Sequence, residues 1–206
     1  MPTNDLPRET AEISALLDDP ESWTGGYYEL TFLLGPPDSA RLQAAMNSLI
    51  SAAGLLGPWR LSPDSERVRG TWTSAELDRG ALRTAFRLPD NHLTAAVLLG
   101  PWDADGDDSL TLGLPLGALA RVDKRIGAFP FGDDGGPRSL SWRQPLDSWL
   151  AEIAEHVRRS VGFELAVIGL ETDVDDAESA RLTSGTSTEH PAALLLADGS
   201  FIPATS

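Results

Sequence analysis

Two stretches of the chain show the hydrophobic period of an amphipathic helix. From Ser39 to Ala53, apolar residues recur at intervals of three and four, which places them on one side of a helix. Asp38 stands where an N-cap residue is expected, and Gly54 follows where a left-handed residue commonly closes a helix. A second apolar stripe runs from Leu146 to Val161. We therefore predict two main helices.

Shorter stretches, apolar throughout or alternating with polar residues, predict β-strands. Glycine, proline and aspartate bound them, and these residues favour turns. The predicted strands are Tyr27–Leu34, Arg67–Ala75, His92–Leu99, Ser109–Leu114, Phe163–Leu170, Ala192–Ala197 and Phe201–Ala204. The last two are expected to form a hairpin closed by Asp198 and Gly199. Residues 54 to 59 are interpreted as a loop, and the secondary structure of residues 77 to 86 is ambiguous from the sequence.

The order of these elements predicts an α+β fold. We expect a single domain, residues 23 to 206, with a largely antiparallel sheet of five to seven strands and the two main helices packed on it. Residues 1 to 22 are acidic, with Arg8 as their one basic residue. This segment is either a frayed terminus or a short helix from about Glu9 to Leu17.

Charge and composition limit the classes of partner that the protein is expected to bind. The chain has 206 residues, a net charge of −15 and no cysteine. Binding to a nucleic-acid backbone needs clustered Lys and Arg, so a nucleic-acid partner is not expected. Without cysteine there are no disulfides and no thiolate metal sites. The sequence shows neither a signal peptide nor a run of about 18 apolar residues, so we expect a cytoplasmic protein without a membrane partner.

Candidate interface residues come from the first predicted helix and from two tryptophans. The face opposite the apolar stripe of that helix is polar but uncharged, and its members Gln43, Asn47 and Ser51 are inexpensive to desolvate in an interface. Trp59 and Trp102 each end a Leu-Leu-Gly-Pro-Trp segment and could anchor a partner. The alternatives are an ordinary exposed helix face and tryptophans that cover the core where strands end.

The acidic loop at residues 103 to 108 is the best candidate for a metal site. Asp103, Asp105 and Asp107 match the alternating oxygen ligands that open a calcium-binding loop. The match then fails, because Asp108 and Leu114 occupy the places of the loop glycine and of the bidentate glutamate. A solvated hairpin loop is the favoured interpretation, and calcium or magnesium is the ion that a site here would take. No other cofactor is predicted.

The sequence contains no motif for catalysis. Ser184-Gly-Thr-Ser187, for example, lacks the Gly-x-Ser-x-Gly pattern of a nucleophile elbow. We therefore expect a non-enzymatic protein that binds another macromolecule, such as an inhibitor or immunity-type protein acting on a basic protein partner. The alternative is an enzyme or a binder of small molecules or divalent cations that uses clustered carboxylates. A third interpretation, a structural domain of a larger assembly, predicts a homo-oligomer.

Overall fold

The computed structural model of the chain describes residues 6–61, 66–101, 106–126, 139–172 and 191–205. Within these residues it has an α+β fold with one antiparallel sheet of nine strands. The strands are β1 (Tyr27–Gly35), β2 (Leu56–Leu61), β3 (Arg67–Arg69), β4 (Leu82–Arg87), β5 (Leu93–Leu99), β6 (Asp108–Pro115), β7 (Leu165–Leu170), β8 (Ala193–Leu196) and β9 (Phe201–Ile202). The helices are α1 (Leu6–Asp18), α2 (Ser39–Ala53), α3 (Ser74–Leu77), α4 (Leu116–Val122) and α5 (Leu140–Ser160), with a 3-10 turn at Pro20–Trp23.

The strands follow the spatial order β3-β2-β4-β5-β6-β1-β7-β8-β9. Strand β1 therefore lies inside the sheet, between β6 and β7, although it is the first strand in the chain. Strands β5 and β6 pair with each other, and the predicted hairpin of β8 and β9 is confirmed. The two edges of the sheet are formed by β3 and β9.

The larger hydrophobic core lies between one face of the sheet and the helices α2 and α5. Alternate residues of β1, such as Tyr28, Leu30 and Phe32, point into this core because successive side chains of a strand face opposite ways. The apolar stripe of α2 meets them, and its residues Met46 and Leu49 are fully buried. The two main helices also contact each other.

Helix α2 begins and ends where the sequence predicts. The Asp38 carboxylate accepts hydrogen bonds from the backbone N–H groups of Ala40 and Arg41 at 3.0 and 3.1 Å. Gly54 closes the helix in the left-handed conformation, with φ of 63°. Both ends satisfy backbone groups that a helix otherwise leaves without partners.

The opposite face of the sheet is partly covered by α1 and the 3-10 turn. Ile13 and Leu17 of α1 pack against Ala85 of β4 and Ala95 of β5. The helix is longer than the range Glu9–Leu17 considered from the sequence. None of the described helices has both the length and the apolar character that a membrane span requires.

The prediction of five to seven strands is too low, because β2 and β4 were not recognised. Gly57 and Pro58 indicate a turn in sequence, yet they lie inside β2. The ladder between β2 and β4 is irregular between Leu56 and Trp59, which accommodates a proline without an N–H group. Strand β4 lies almost entirely in residues 77 to 86, whose secondary structure was ambiguous from the sequence.

Two element boundaries also differ from the prediction. The strand expected at Arg67–Ala75 ends at Arg69, and its last predicted residues belong to α3. Helix α5 begins at Leu140, six residues before the predicted start, and it includes Pro145. Trp142 and Arg143 are buried in this first part of the helix, and their packing offsets the hydrogen bond that proline cannot donate.

Candidate functional site

A local reversal of charge marks the end of the sheet formed by β2, β3 and β4. Residues 60 to 87 contain six arginines and four acidic residues, whereas the whole chain has 16 basic and 31 acidic residues. The arginines are Arg60, Arg67, Arg69, Arg79, Arg83 and Arg87. An acidic protein therefore carries a basic region here, and we call it the basic end.

The register of the strands aligns part of this region in one row across the sheet. Arg69 in β3 is opposite Trp59 in β2, and Trp59 is opposite Arg83 in β4. Opposite residues of neighbouring strands share a face and lie about 5 Å apart. The row alternates cationic and aromatic side chains on the face that α2 and α5 do not cover.

The same row continues towards the centre of the sheet. Arg83 is opposite Val97 in β5, Val97 is opposite Gly113 in β6, and Gly113 is opposite Glu29 in β1. Arg83 and Glu29 are thus three strands apart, or about 14 Å at the usual spacing between strands. The missing side chain at Gly113 leaves room for the ring of Tyr27, because a Cβ atom there would lie 3.1 Å from the Cδ1 atom of Tyr27.

Two tryptophan rings hold arginines of the basic end. The guanidinium carbons of Arg67 and Arg69 lie 5.4 and 5.0 Å from the centroid of Trp59, and that of Arg83 lies 4.0 Å from the centroid of Trp23. These are cation–π distances, and such contacts restrict the side chains that make them. Gly57 makes room for the Trp59 ring, since a Cβ atom at that glycine would be 2.5 Å from the ring.

The arginines differ in whether an acidic side chain neutralises them. Arg67 pairs with Asp18 at 2.9 Å and Arg87 pairs with Glu9 at 3.0 Å, so α1 neutralises both. In the described part of the chain, Arg69 and Arg83 form no ion pair. Burial lowers the pKa of Arg83, although Tyr27 and Asp18 act in the opposite direction. The basic end therefore has positive charge available to a ligand or partner.

The outer border of the basic end also exposes apolar side chains. Leu61 is 42% exposed and Val68 is 44% exposed, and they are two of the three large apolar residues described as exposed. The third, Phe201, lies on the opposite edge of the sheet in β9. Leu61 and Arg69 lie on the face of Trp59, and Val68 lies on the other face, opposite Arg60. Together they flank the outer edge of the sheet, and we call these three residues, Leu61, Val68 and Arg69, the edge surface.

A cavity of about 270 Å³ lies beside the edge surface. Three arginines contribute to its wall, namely Arg60, Arg79 and Arg83. The remaining lining residues are Trp23, Tyr27, Leu61, Gly80, Ala81 and Val97. We call this cavity the arginine pocket.

Glu29 is a buried carboxylate on the same face as the arginine pocket. Its Oε2 atom accepts hydrogen bonds from the backbone N–H of Thr172 at 2.9 Å and from the Thr172 hydroxyl at 3.3 Å. Burial raises the pKa of Glu29 to about 7, more than these hydrogen bonds lower it. Two buried threonines, Thr31 and Thr111, also lie on this face, and their hydroxyls are 3.0 Å apart.

A second buried carboxylate lies on the opposite face, between β1 and α5. The Tyr28 hydroxyl donates to Oδ1 of Asp147 in a short hydrogen bond, and Nε of Arg143 donates to the same hydroxyl at 3.4 Å. Burial raises the pKa of Asp147 to about 6 and also raises the pKa of Tyr28. Neither Asp147 nor Glu29 lines the arginine pocket, so their shifted pKa values do not by themselves indicate catalysis.

Gly106 and Asp108 line a second cavity, of about 560 Å³, at the start of α2. Its wall includes Asp38, Asp78 and Asp108. The first of these caps α2, and Oδ2 of Asp108 accepts a hydrogen bond from the Asp38 N–H at 2.6 Å, so both carboxylates already have structural partners. Within the described ranges no group of three His, Cys, Asp or Glu residues is placed to hold a metal.

The metal candidates can be placed only in part. Asp107 is exposed immediately before β6 and does not line the second cavity. Asp103 and Asp105 lie outside the described residues. A calcium or magnesium site formed by the three aspartates therefore stays a prediction.

The candidate interface residues of α2 lie in different surroundings. Gln43 is half-buried, since its amide donates to the Trp72 carbonyl at 3.2 Å and its Oε1 accepts from the Ser74 N–H at 2.8 Å. Asn47 receives a hydrogen bond from Gln43 at 2.9 Å but is exposed, and Ser51 is exposed as well. A segment of the same chain thus covers this face at Gln43.

The structure describes one of the two tryptophan candidates. Trp59 is half-buried and belongs to the cation–π row of the basic end, and its role in an interface stays a prediction. Trp102 lies outside the described residues. The sequence interpretation missed Arg69 and Arg83, although the excess of arginine between residues 60 and 87 was a visible signal.

Comparisons with known proteins do not assign the chain to a family: no protein-family model, curated protein or solved structure matches it.

Proposed function

We propose that this chain is a non-enzymatic binding protein that recognises another protein through its basic end. The observation that carries the proposal is the edge surface, where Leu61 and Val68 are exposed beside Arg69. Aromatic and arginine side chains are enriched in the energetically important parts of interfaces, and exposed apolar residues contribute to their dehydrated centres. Trp59 lies opposite Arg69 in the neighbouring strand, and its ring makes a cation–π contact with the Arg69 guanidinium.

The chemistry of the surface favours a partner with acidic groups around an apolar contact. The net charge of −15 suggested a basic partner, but a partner responds most strongly to nearby charges because salt screens distant ones over about 8 to 10 Å. At the edge surface the nearest charge without an acidic partner is that of Arg69. We therefore infer an acidic partner patch at this end of the sheet.

Contact through side chains is more consistent with this edge than addition of a strand. Strand β3 has three residues and pairs with β2 on one side, so its other side is a sheet edge. Short edge strands that carry charge discourage pairing with further strands. Arg67 and Arg69 in β3 supply that charge, while Val68 between them offers apolar contact.

The proposal can be tested by recovering partners from cells that naturally contain the protein. Tagged wild-type protein would be compared with a Val68→Asp/Arg69→Glu variant, which reverses the chemistry of the edge surface. We expect an acidic protein to be recovered with the wild type and to fall at least about tenfold in the variant, a loss equal to about 1.4 kcal/mol of binding free energy. Its recovery should also fall with increasing salt.

A matched control uses the opposite edge of the sheet. Phe201→Asp changes the remaining exposed large apolar residue in β9 and should leave recovery unchanged. Circular dichroism and thermal unfolding would confirm that all three proteins are folded. Equal recovery of the same protein with the wild type and with Val68→Asp/Arg69→Glu would contradict the proposal, as would loss of recovery with Phe201→Asp alone.

A further inference from the structure

We propose that the arginine pocket is a binding site for the phosphate dianion, either free or as a phosphate monoester. This site goes beyond the proposed recognition of a protein partner. Its lining residues Arg83 and Val97 lie on the face of the sheet that α2 and α5 do not cover, and it adjoins the edge surface through Leu61.

The charge of the pocket matches a dianion. Of the acidic side chains in the described residues, Glu76 is the one that pairs with its arginines: Arg79 donates to it at 2.8 Å and Arg60 at 3.4 Å. Three arginines and one glutamate leave a local charge of +2. A single carboxylate ligand would neutralise half of this charge, whereas a phosphate dianion neutralises it fully.

The position of Arg83 is held before any ligand arrives. Its guanidinium stacks 4.0 Å from the centroid of Trp23, and Nε1 of Trp23 donates to the Leu17 carbonyl at 3.0 Å. Arg83 forms no ion pair or hydrogen bond within the described residues, and Asp18, which attracts it from a distance, is paired with Arg67. A half-buried guanidinium with unused donors is suited to paired hydrogen bonds with a phosphate.

Glu76 has a positioning role in the same site. Its side chain is 13% exposed and contacts Arg60 and Arg79 through different oxygens. Arg60 also donates to the Arg79 carbonyl at 3.2 Å, which links two of the three arginines. Less side-chain entropy is lost on binding when the donors are already held in place.

The size of the pocket favours a small anion over a polymer. A volume of about 270 Å³ corresponds to about nine water molecules in the liquid, which accommodates a phosphate group and the first atoms of an ester. A nucleic-acid backbone would extend beyond the pocket and meet a protein of net charge −15, whereas a small dianion interacts mainly with the nearest arginines.

The test is a titration of the purified protein with inorganic phosphate by isothermal calorimetry and ³¹P NMR, with ionic strength held constant by chloride. At pH 7.5 we expect saturable binding with a Kd of about 1 mM. Arg83→Gln and Arg79→Gln should each weaken binding about tenfold. Binding should also weaken at pH 5, because a phosphate dianion, free or as a monoester with a second pKa near 6, takes up one proton as the pH falls and becomes a monoanion.

Arg87→Gln is the matched control, since Arg87 lies in the same strand as Arg83 but pairs with Glu9 outside the pocket. It should bind phosphate like the wild type. If Arg83→Gln does not fold, Arg79→Gln provides the same test, because the Arg79 side chain is 66% exposed. The absence of saturable binding up to 20 mM phosphate, or equal weakening by Arg87→Gln and the pocket variants, would overturn the proposal.

Two further ligands distinguish the sources of the phosphate group. O-phosphoserine represents a phosphorylated side chain, and adenosine monophosphate represents a phosphorylated metabolite with an aromatic ring. Tighter binding of one ester than of inorganic phosphate would support the site and assign its source, and equal binding of all three would support recognition of the phosphate group alone. These titrations contain no protein partner, so their result is independent of the recovery experiment.

Discussion

The buried carboxylate of Glu29 gives the most quantitative prediction. Replacing it by glutamine, Glu29→Gln, removes the ionisable group but keeps an oxygen that can accept the hydrogen bond from the Thr172 N–H. The side chain is 8% exposed and its pKa is raised by burial from 4.5 to about 7. The ionised form of Glu29 therefore destabilises the folded state, whereas a neutral glutamine at this position does not.

The sign and size of the effect follow from proton linkage. Because the pKa in the folded state lies above that in the unfolded chain, the folded protein binds a proton that the unfolded chain releases between pH 4.5 and 7. This stabilisation is complete below pH 4.5 and is lost as the pH rises through 7. A rise from 4.5 to about 7 corresponds to about 3 kcal/mol. Glutamine makes no such contribution at any pH.

Urea denaturation of the wild type and Glu29→Gln at a series of pH values between 4.5 and 8 measures this difference. We expect the free energy of unfolding of the variant, relative to the wild type, to increase by about 2 to 3 kcal/mol across this range. Other titrating groups contribute to both proteins and largely cancel. Glu152→Gln, at an exposed position in α5, is the control because it removes no buried charge.

A difference between Glu29→Gln and the wild type that stays constant with pH, within about 0.5 kcal/mol, would refute this reasoning. A decrease towards alkaline pH would refute it as well, because it would mean that the ionised carboxylate stabilises the fold.

Three further predictions concern stability and are measured by urea denaturation at pH 7. Tyr28→Phe removes the donor to the buried Asp147 carboxylate and should destabilise the fold by about 1 to 3 kcal/mol; an effect below about 0.5 kcal/mol would show that the hydrogen bond is unimportant. Leu49→Ala should cost about 2 to 5 kcal/mol because Leu49 is fully buried, whereas Leu61→Ala at the edge surface should cost less than about 1 kcal/mol. Asp38→Ala should destabilise the protein by about 1 kcal/mol through loss of the α2 N-cap, and Asp38→Ser, which keeps an acceptor, should restore most of it.

Local signals in the sequence were sufficient for much of the fold. Helix α2 has an apolar stripe, an N-cap at Asp38 and a left-handed end at Gly54, and all three features agree. The hairpin of β8 and β9 was equally clear because Asp198 and Gly199 form a favourable turn. Where several local preferences indicate the same structure, tertiary packing rarely changes the local conformation, and prediction from the sequence succeeds.

Strand β2 could not be predicted because its local signal conflicts with its tertiary environment. Leu-Leu-Gly-Pro-Trp occurs twice in the chain. At residues 55 to 59 this segment enters β2, whereas at residues 98 to 101 its first four residues end β5 and continue beyond it. Identical residues thus have different structures, because pairing with β3 and β4 extends the first segment.

The candidate site depends on strand order, which the sequence does not reveal locally. Arg69, Trp59 and Arg83 form one row only because β2 lies between β3 and β4 in a specific register. Trp23 reaches Arg83 from the 3-10 turn, 60 positions earlier in the chain. The excess of arginine in residues 60 to 87 could have been found from the sequence, but not the assembly of these arginines around one pocket.

Site-specific photocrosslinking tests the central claim, that the basic end is the binding surface, most directly. A photoreactive phenylalanine analogue would replace Val68 in one protein and Phe201 in another, and both would be irradiated in cells that naturally contain the protein. The analogue at position 68 should form a covalent adduct with an acidic protein, and the analogue at position 201 should not. An adduct formed at position 201 and absent at position 68 would contradict the account.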